Sequence, residues 1–390
     1  MNVFLTIIFG FVFCTTLFAE RPVEYFGSAR IDYVIPLEVQ PNEKSSATIW
    51  YDDFDGNSKP YAEGNSPLDD SESFGGSGKS MLCFYEKGSK GKGGRKVFFG
   101  DSPTYGNKTV RKGEKFDEIY WRIYVKHQPG WIGNPAKMSR ATSLASSKWT
   151  QAMIAHVWSS GKYSLTLDPV CGVKDGKVVT TKYNDFPNMH WLGNRPISKF
   201  PIHSTEESGY WVCVESRVKL NTPGKKDGIN QLWIDGRLEC ERKNLNLRGT
   251  YTKHGINAVF LEAYWNSGSP VTQSRWYDNF VVSTKPIGAV VCSANPMIVK
   301  TDYRGVGEAG IWEVELSSDG VSDNLVYKSK ALSPDTNRMT VDSEHGKFIG
   351  AFAGKESLIS GKTYYIRVRQ TNKQGDSSKW SHWHQLFKVN

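Results

Sequence analysis

The chain has 390 residues, more than one ordinary hydrophobic core accommodates, so we expect two domains. It contains 13 Trp, 18 Tyr, 19 Phe and 37 Gly, and segments of helical period are scarce, which favours β-sandwiches or jelly rolls over helical folds. The formal net charge of +9 would favour nucleic acid in a cytosolic protein, whereas in an exported one it favours an anionic polymer or serves solubility alone.

The first predicted element is a secretory signal at residues 1–19. An apolar run from Val3 to Phe18 is followed by Ala19, where we expect cleavage. The run is short for a membrane span, and no stop-transfer charges or second apolar segment follow it. We therefore expect a secreted protein, extracellular or periplasmic, with no membrane span, no nucleic-acid partner and a monomeric state.

Alternation of apolar and polar residues dominates from residue 118 onward, which is the signature of strands with one buried face. Turn residues at 221–228 and 266–270 separate these segments. The pattern predicts an all-β, two-sheet jelly roll over residues 20–285. The candidate strands are 118–127, 148–158, 209–220, 230–241, 256–266 and 275–283.

Composition changes near residues 283–288, and we place a linker there. Leu358, Gly361 and Tyr364 then occur in a segment that resembles the tyrosine corner of fibronectin type III and immunoglobulin-like sandwiches. The resemblance implies a smaller fibronectin type III-like β-sandwich over residues 286–390 that serves as a spacer or adhesion module. Its candidate strands are 311–318, 362–372 and 384–390.

Five cysteines follow the signal, with no CxxC spacing that would indicate a zinc site. An oxidising compartment permits one disulfide. The spacing does not assign it, and Cys213 with Cys240 is one pairing that it allows.

The central segment GYWVCVESRVKLNTPGKKDGINQLWIDGRLE, with EAYWNSGSP and RWYDNF after it, resembles concanavalin A-like jelly rolls. It is similar in particular to polysaccharide lyase-like domains, which share its succession of NTPG, W-x-D-G and D-N elements. The resemblance covers residues 45–285. It implies a lyase that cleaves an anionic, uronate-containing polysaccharide by β-elimination. Ala155-His156 is the one counterpart of the Gln-Ile-His strand in the best-known lyase families.

Strand alternation indicates which side chains share a face. Several candidate strands offer a face of polar and aromatic side chains opposite an apolar one. If the strands are neighbours in one sheet, these faces form a concave groove in which aromatic rings stack on sugars and Arg binds uronate carboxylates. The predicted substrate-binding residues are Tyr120, Tyr124, Glu215, Arg217, Gln231, Trp233 and Glu262.

β-Elimination requires a group that stabilises the developing carboxylate charge, a base for the C5 proton and an acid for the leaving oxygen. We expect Arg122, or else Arg217, in the first role. His156 is the candidate base, because its ordinary pKa lies nearest working pH. Tyr264 is a candidate acid, base or both. If His156 is a core residue instead, the base would be Tyr264 or a loop lysine such as Lys182.

Two other functions remain open at this point. A jelly-roll glycoside hydrolase would use two carboxylates, for which Glu215 and Glu262 are candidates. A non-catalytic carbohydrate-binding or adhesion protein would need no acid–base pair.

Acidic residues lie where the first and last strands of such a jelly roll meet. Asp55, in YDDFDG, and Asp278, in YDNF, are therefore predicted ligands of a structural Ca²⁺. No cofactor is required for the expected chemistry.

Overall fold

A computed structural model describes residues 29–56, 59–64, 66–91 and 93–390 of the chain. The predicted signal segment lies outside the described residues. In the part that is described, no helix is both long and apolar enough to cross a membrane.

Nearly all regular structure in the described residues is β-strand. In chain order the strands are β1 (Ile31–Val34), β2 (Thr48–Asp52), β3 (Glu63–Gly64), β4 (Leu68–Asp69), β5 (Ser80–Tyr85), β6 (Gly94–Phe98), β7 (Glu118–His127), β8 (Lys137–Leu144), β9 (Gln151–Ser159), β10 (Leu165–Cys171), β11 (Val173–Lys174), β12 (Lys177–Val178), β13 (His190–Trp191), β14 (Trp211–Lys219), β15 (Gly228–Ile234), β16 (Arg237–Leu245), β17 (Ala258–Tyr264), β18 (Gln273–Ser283), β19 (Val291–Cys292), β20 (Met297–Lys300), β21 (Ala309–Ser317), β22 (Leu325–Ser329), β23 (Arg338–Thr340), β24 (Gly346–Phe348), β25 (Thr363–Asn372) and β26 (His384–Val389). The helical pieces are α1 (Pro41–Lys44) and the 3-10 turns Phe186–Asn188, Ser322–Asn324 and Gly350–Phe352.

Two large antiparallel sheets form the jelly roll. Sheet I has the order β16-β15-β14-β7-β18-β5-β4, with β2 also paired to β18. Sheet II has the order β13-β10-β9-β8-β17-β6-β3. The predicted all-β, two-sheet fold is confirmed, and β7 has the predicted bounds. The predicted strand 230–241 is in fact the hairpin β15–β16, which turns at Asp235-Gly236.

The main core fills the space between the two sheets. On β7, Trp121, Ile123 and Val125 alternate toward it and are buried. They meet residues of sheet II such as Val157 on β9 and Leu261 on β17, which are buried in the same cluster. On β7 and β17 the buried face is the one that alternation predicted to be apolar, whereas on β9 the core face carries Val157 and not the predicted Ile154 and Trp158.

A second β-sandwich follows, built from sheet III, with order β19-β26-β25-β21-β22-β24, and sheet IV, with order β1-β20-β23. Strand β1 comes from the N-terminal part of the chain, yet it pairs with β20, with Ile31 opposite Lys300. The first strand of the described residues therefore belongs to the second sandwich. The division of the chain at residue 285 stays a prediction.

Two local predictions in these regions have different outcomes. The Tyr364 hydroxyl lies 3.0 Å from the Ile359 amide nitrogen, which gives the hydrogen bond expected of a tyrosine corner. The five cysteines of the described residues are all free and buried. Cys213 packs on the outer face of sheet I and Cys240 in the core on the other face, so the candidate pairing of these two is wrong.

Candidate active site

The outer face of sheet II carries an open groove of about 590 Å³. It crosses strands β6, β17 and β8, and the loop at residues 183–184 closes one side. Four cationic side chains and one carboxylate line it, so the groove suits an anion. The lining residues are Lys90, Gly93, Lys96, Lys137, Arg140, Tyr183, Asn184, Leu261, Glu262, Ala263, Tyr264 and Asn266.

A β-bulge determines which side chains of β8 reach this groove. Lys137 and Arg140 are three residues apart, so regular alternation would put them on opposite faces. The pairing register of β8 shifts between Lys137 and Ser139, and the extra residue turns both cations outward. As a result Lys137 lies opposite Tyr264, and Arg140 lies opposite Phe260.

Close approach of β6 to β17 places Glu262 in the groove. Glu262 pairs with Gly94, whose φ is 120°. A Cβ atom at Gly94 would lie 2.4 Å from the Leu261 carbonyl oxygen, so any other residue would push the strands apart.

Arg140 is the organising cation of the site. It is 1% exposed, forms an ion pair with Glu262, and donates a 2.7 Å hydrogen bond to Asn184 Oδ1. The Asn184 amide nitrogen also donates to Gln151 Oε1, which fixes the loop on sheet II. Because Asn184 Oδ1 is occupied, its Nδ2 group, with two N–H donors, is the end available to a ligand.

Lys137 and Tyr264 are the groups best placed for proton transfer. The Lys137 amine lies 4.9 Å from the centre of the Tyr264 ring. Burial lowers the pKa of Lys137, and nearby Glu262 opposes that shift while Arg140 adds to it. Tyr264 is 39% exposed, so a bound polymer can contact its hydroxyl. A lysine of lowered pKa beside an accessible phenol is a suitable base–acid pair.

His156, the predicted base, lies on the same face but is closed off from solvent. It is 0% exposed, and its Nδ1 lies 2.9 Å from the Asp168 carbonyl oxygen. That oxygen can only accept, so Nδ1 carries the proton and Nε2 is bare. Burial lowers the pKa of His156 well below its ordinary value, and Arg140 contributes to the shift. In this arrangement His156 does not contact a polymer.

The predicted convergence of all site residues on one surface is wrong. His156, Glu262 and Tyr264 lie on sheet II. The other predicted residues belong to strands β7, β14 and β15 of sheet I, on its far face. They are Arg122, Tyr120, Tyr124, Glu215, Arg217, Gln231 and Trp233.

The outer face of sheet I is occupied by the protein's own chain. Arg122 is 0% exposed and donates to the Gly288 carbonyl oxygen at 3.0 Å. Both Glu215 carboxylate oxygens accept backbone amides, from Ile287 at 2.9 Å and Gly288 at 2.8 Å. The Tyr124 hydroxyl accepts from the Val290 amide at 3.1 Å. These side chains therefore hold the linker and do not line a groove for a polymer.

The remaining predicted residues on sheet I contact one another. Arg217 donates to Glu118 at 2.7 Å and to Gln231 at 2.8 Å, and the Tyr120 hydroxyl lies 3.1 Å from Glu118. Trp233, the last of the set, is half-buried on β15. Side chains of alternating charge that pair with one another in this way are typical of an ordinary sheet surface.

Sequence reasoning missed Lys137, Arg140 and Asn184. Strand β8 reads KMSRATSL, in which apolar and polar residues do not alternate cleanly, and the bulge breaks what alternation there is. Asn184 has φ of 52°, in the left-handed region that Asn tolerates, within the loop after β12. The available signal was the pair of cations in a segment between two predicted strands.

The predicted Ca²⁺ ligands Asp55 and Asp278 accept hydrogen bonds from backbone amides, and calcium binding there stays a prediction. Asp278 accepts backbone amides on both oxygens, from Phe74 at 2.7 Å and Asn279 at 2.6 Å. Burial raises the pKa of Asp278 well above its ordinary value, and the nearby carboxylates Asp55 and Asp53 add to the shift. Asp55 accepts from the Lys79 amide at 2.7 Å. Within the described residues, the one group of three possible ligands is elsewhere, on a turn of the second sandwich (Asp342, Glu344, His345).

A second cavity, of about 790 Å³, opens at the other edge of the jelly roll, between β13 and β16. It is cationic, with Lys174, Lys226 and Arg242 among its lining residues. Its described lining includes neither a tyrosine nor a carboxylate. Of these two cavities, the groove on sheet II is the one that combines lysine, tyrosine and carboxylate side chains.

Comparisons with known proteins found similar solved structures but no family. No protein-family model and no curated protein matches the chain. Similar structures include a fungal endo-β-1,4-glucuronan lyase from Trichoderma reesei, 15% identical with a TM-score of 0.41, over 61% of this chain and 96% of that one. A marine alginate lyase from Aplysia kurodai is 15% identical with a TM-score of 0.40, over 62% and 100% of the two chains. An alginate lyase from a Chlorella virus is 13% identical with a TM-score of 0.38, over 57% and 89%. Because each TM-score is below 0.5, these likenesses carry no argument about activity.

Proposed function

We propose that the protein is a polysaccharide lyase that cleaves a uronate-containing polymer by β-elimination in the groove on sheet II. The observation that carries this proposal is the pairing of Lys137 with the exposed Tyr264 in a groove lined by four cations and one carboxylate. A polyanion is attracted by such a lining, and the acid–base pair supplies the two proton transfers.

Each step of the elimination has a group in the groove. The neutral Lys137 amine takes the C5 proton, and the electrons of that C–H bond form the C4–C5 double bond. The bond from C4 to the glycosidic oxygen breaks, and the Tyr264 hydroxyl donates its proton to that oxygen. Asn184 Nδ2 donates to the uronate carboxylate, whose negative charge spreads as C5 loses its proton. Arg140 is a positioning residue, because it holds Asn184 and Glu262 without facing solvent.

Hydrolysis has less support. Glu215 and Glu262, the candidate carboxylate pair, lie on different sheets, and Glu215 is occupied by the linker. A glycosidase needs two carboxylates on either side of one bond. Non-catalytic binding of the same polymer is the outcome that the experiment must separate from cleavage.

The experiment is incubation of the purified protein with a panel of uronate polymers: alginate, glucuronan, ulvan and pectin. Cleavage by β-elimination should produce both new reducing ends and ultraviolet absorbance from the unsaturated uronate. Reducing ends without that absorbance would indicate hydrolysis. Retention on an immobilised polymer with neither product would indicate a binding protein. Binding should weaken as salt rises, because salt screens the groove cations.

We also infer that the protein is exported and that its C-terminal sandwich is a fibronectin type III-like spacer. The apolar run ending at Ala19 supports export, and the hydrogen bond between Tyr364 and Ile359 supports the module. A fusion of residues 1–30 to a reporter enzyme tests export: the reporter should leave the cytoplasm, and retention inside the cell would contradict the inference.

A further inference from the structure

Next to the groove, four rings form an aromatic shelf on the outer face of sheet II: His156, Trp158, Phe186 and Trp191. Trp191 stacks on Phe186 at 5.4 Å with an interplanar angle of 29°, and on His156 at 6.0 Å with 21°. The centre of the His156 ring in turn lies 3.8 Å from the centre of the Trp158 ring. Trp191 is 37% exposed, although the shelf buries the histidine beneath it completely. An indole held rigidly in place and open to solvent is a surface on which a flat apolar face can stack.

The shelf is continuous with the proposed acid–base pair. The Lys137 amine lies 5.7 Å from the Trp158 ring on one side and 4.9 Å from the Tyr264 ring on the other. These groups stand on β17, β8 and β9, and Trp191 stands on β13, the edge strand beyond β10. Trp191 therefore stands four strands away from Tyr264 on the same face of the sheet, and the Trp158 ring, 6.1 Å from Trp191, lies between them. A sugar chain that leaves the acid–base pair across the strands would therefore pass over the shelf.

A cation stands beside the shelf. Arg195 pairs with Asp168 at 3.2 Å, and its side chain is 55% exposed. Asp168 lies opposite His156 on β10, so the guanidinium is near the shelf rings. A guanidinium with one carboxylate partner keeps donors for another.

We propose that the aromatic shelf and Arg195 form a second uronate-binding subsite of the same groove, which takes a sugar several residues away from the bond that is cleaved. Trp191 stacks on the apolar face of the pyranose ring, and Arg195 binds its carboxylate. His156 is a positioning residue here, because it holds Trp191 from below and does not contact the sugar. This subsite rests on the proposed function for the identity of its ligand.

Binding of saturated oligouronates of two, four and six sugars to the full protein tests the subsite, with affinity measured by calorimetry. Trp191→Ala should lower the affinity for the hexasaccharide about tenfold, the order of one aromatic stacking contact. It should leave the affinity for the disaccharide unchanged. Trp191→Phe should restore most of the affinity. Arg195→Gln should weaken the hexasaccharide and flatten the salt dependence of its binding. Trp233→Ala, a half-buried tryptophan on the outer face of sheet I, is the matched control and should bind like the wild type.

The outcomes separate this proposal from the proposed function. A Trp191→Ala variant with an unchanged melting temperature and wild-type affinity for the hexasaccharide overturns the subsite, even if the protein is a lyase. If the wild type releases no unsaturated product, but Trp191→Ala still weakens the hexasaccharide and not the disaccharide, the lyase function fails and the subsite stands. If Trp191→Ala lowers the melting temperature, Arg195→Gln decides: wild-type affinity for the hexasaccharide with an unchanged salt dependence in that variant overturns the subsite.

Discussion

The outer faces of sheets I and II are similar in composition but have opposite uses. Both carry Arg, Glu, Tyr and Trp at alternating positions, and both lie opposite a well-packed core face. On sheet I, Arg122 and Glu215 bind the backbone of the linker, and the second sandwich packs on Tyr124 and Trp211. On sheet II, Lys137 and Tyr264 line an open groove.

The difference shows what alternation does and does not report. Alternation identifies the side of a strand that points away from the core. It carries no information about what covers that side. On sheet I, polar side chains satisfy backbone groups of a segment that would otherwise be buried without partners. On sheet II, similar side chains are left to bind something else.

The largest expected effect is a difference in kcat between two Tyr→Phe variants, one on each sheet. Tyr264→Phe removes the proposed proton donor to the leaving oxygen and should lower kcat by roughly 10²–10⁴. Tyr120→Phe removes a tyrosine hydroxyl on sheet I, where it lies beside Glu118 and away from the groove, and should leave kcat unchanged. Initial rates on a uronate polymer, followed by ultraviolet absorbance, measure both. Equal rates in the two variants would remove Tyr264 from the mechanism.

Substitution of Lys137 should have the next largest effect and lower kcat by about 10². Only the neutral amine is a base, so activity should rise with pH, and burial should place the midpoint of that rise below the ordinary value of 10.5. Lys137→Met should lose the ascending limb of the pH profile. Lys137→Arg should be as inactive as Lys137→Met, since arginine keeps the charge but cannot become neutral.

Lys182→Met is the matched control for that profile, because Lys182 is exposed on the loop beside the groove. Its ascending limb should match the wild type. Loss of the limb in Lys182→Met and not in Lys137→Met would assign the base to the loop lysine. An active Lys137→Arg variant would make Lys137 a carboxylate-binding cation instead.

On sheet I the expected effect is on stability, not turnover. Arg122→Ala leaves the Gly288 carbonyl without its donor and Glu215 without the cation opposite it, and should cost about 2–4 kcal/mol of unfolding free energy. Arg217→Ala, which breaks a part-exposed pair with Glu118, should cost less than about 1 kcal/mol. Urea denaturation measures both, and kcat of folded Arg122→Ala should stay within about twofold of the wild type. A selective loss of kcat in Arg122→Ala would return Arg122 to the site.

The fold was accessible from the sequence because its signals are local. Strand β7 has the predicted bounds, and the predicted core residues of β7, β14, β15 and β17 are buried in the main core. Turn residues and alternation depend on neighbouring positions alone, so one sequence suffices to find them.

Only part of the candidate site could be predicted from the sequence, because the order of strands in a sheet depends on contacts between residues far apart in the chain. Glu262 and Tyr264 were found by alternation on β17, but the strands beside them were wrongly assumed to be those of Arg122 and Glu215. Lys137 and Arg140 needed the bulge on β8, which shifts parity by one residue without a mark in the sequence. Burial of His156 by Trp158 and Trp191 depends on a loop and an edge strand that alternation does not describe.

The smallest expected effect is on the free energy of unfolding at acidic pH. It compares a buried histidine of the second sandwich, His384, with one on sheet II, His156. His384 lies on β26 of the second sandwich, where its Nε2 accepts from the Ile31 amide at 3.2 Å and its ring packs on Tyr210. Burial lowers its pKa well below 6.5, with His382, Arg30 and Arg304 adding to the shift, and burial does the same for His156 on sheet II. The unfolded chain therefore takes up a proton below about pH 6.5 that the folded chain does not, so stability falls as pH falls, by about 1.4 kcal/mol per pH unit for each histidine. Urea titrations between pH 7 and pH 4 should show this slope reduced by that amount in His384→Gln and, equally, in His156→Gln. A slope that stays at the wild-type value in His384→Gln would mean that the folded protein binds this proton. Acid would then detach the second sandwich from the outer face of sheet I before the chain unfolds.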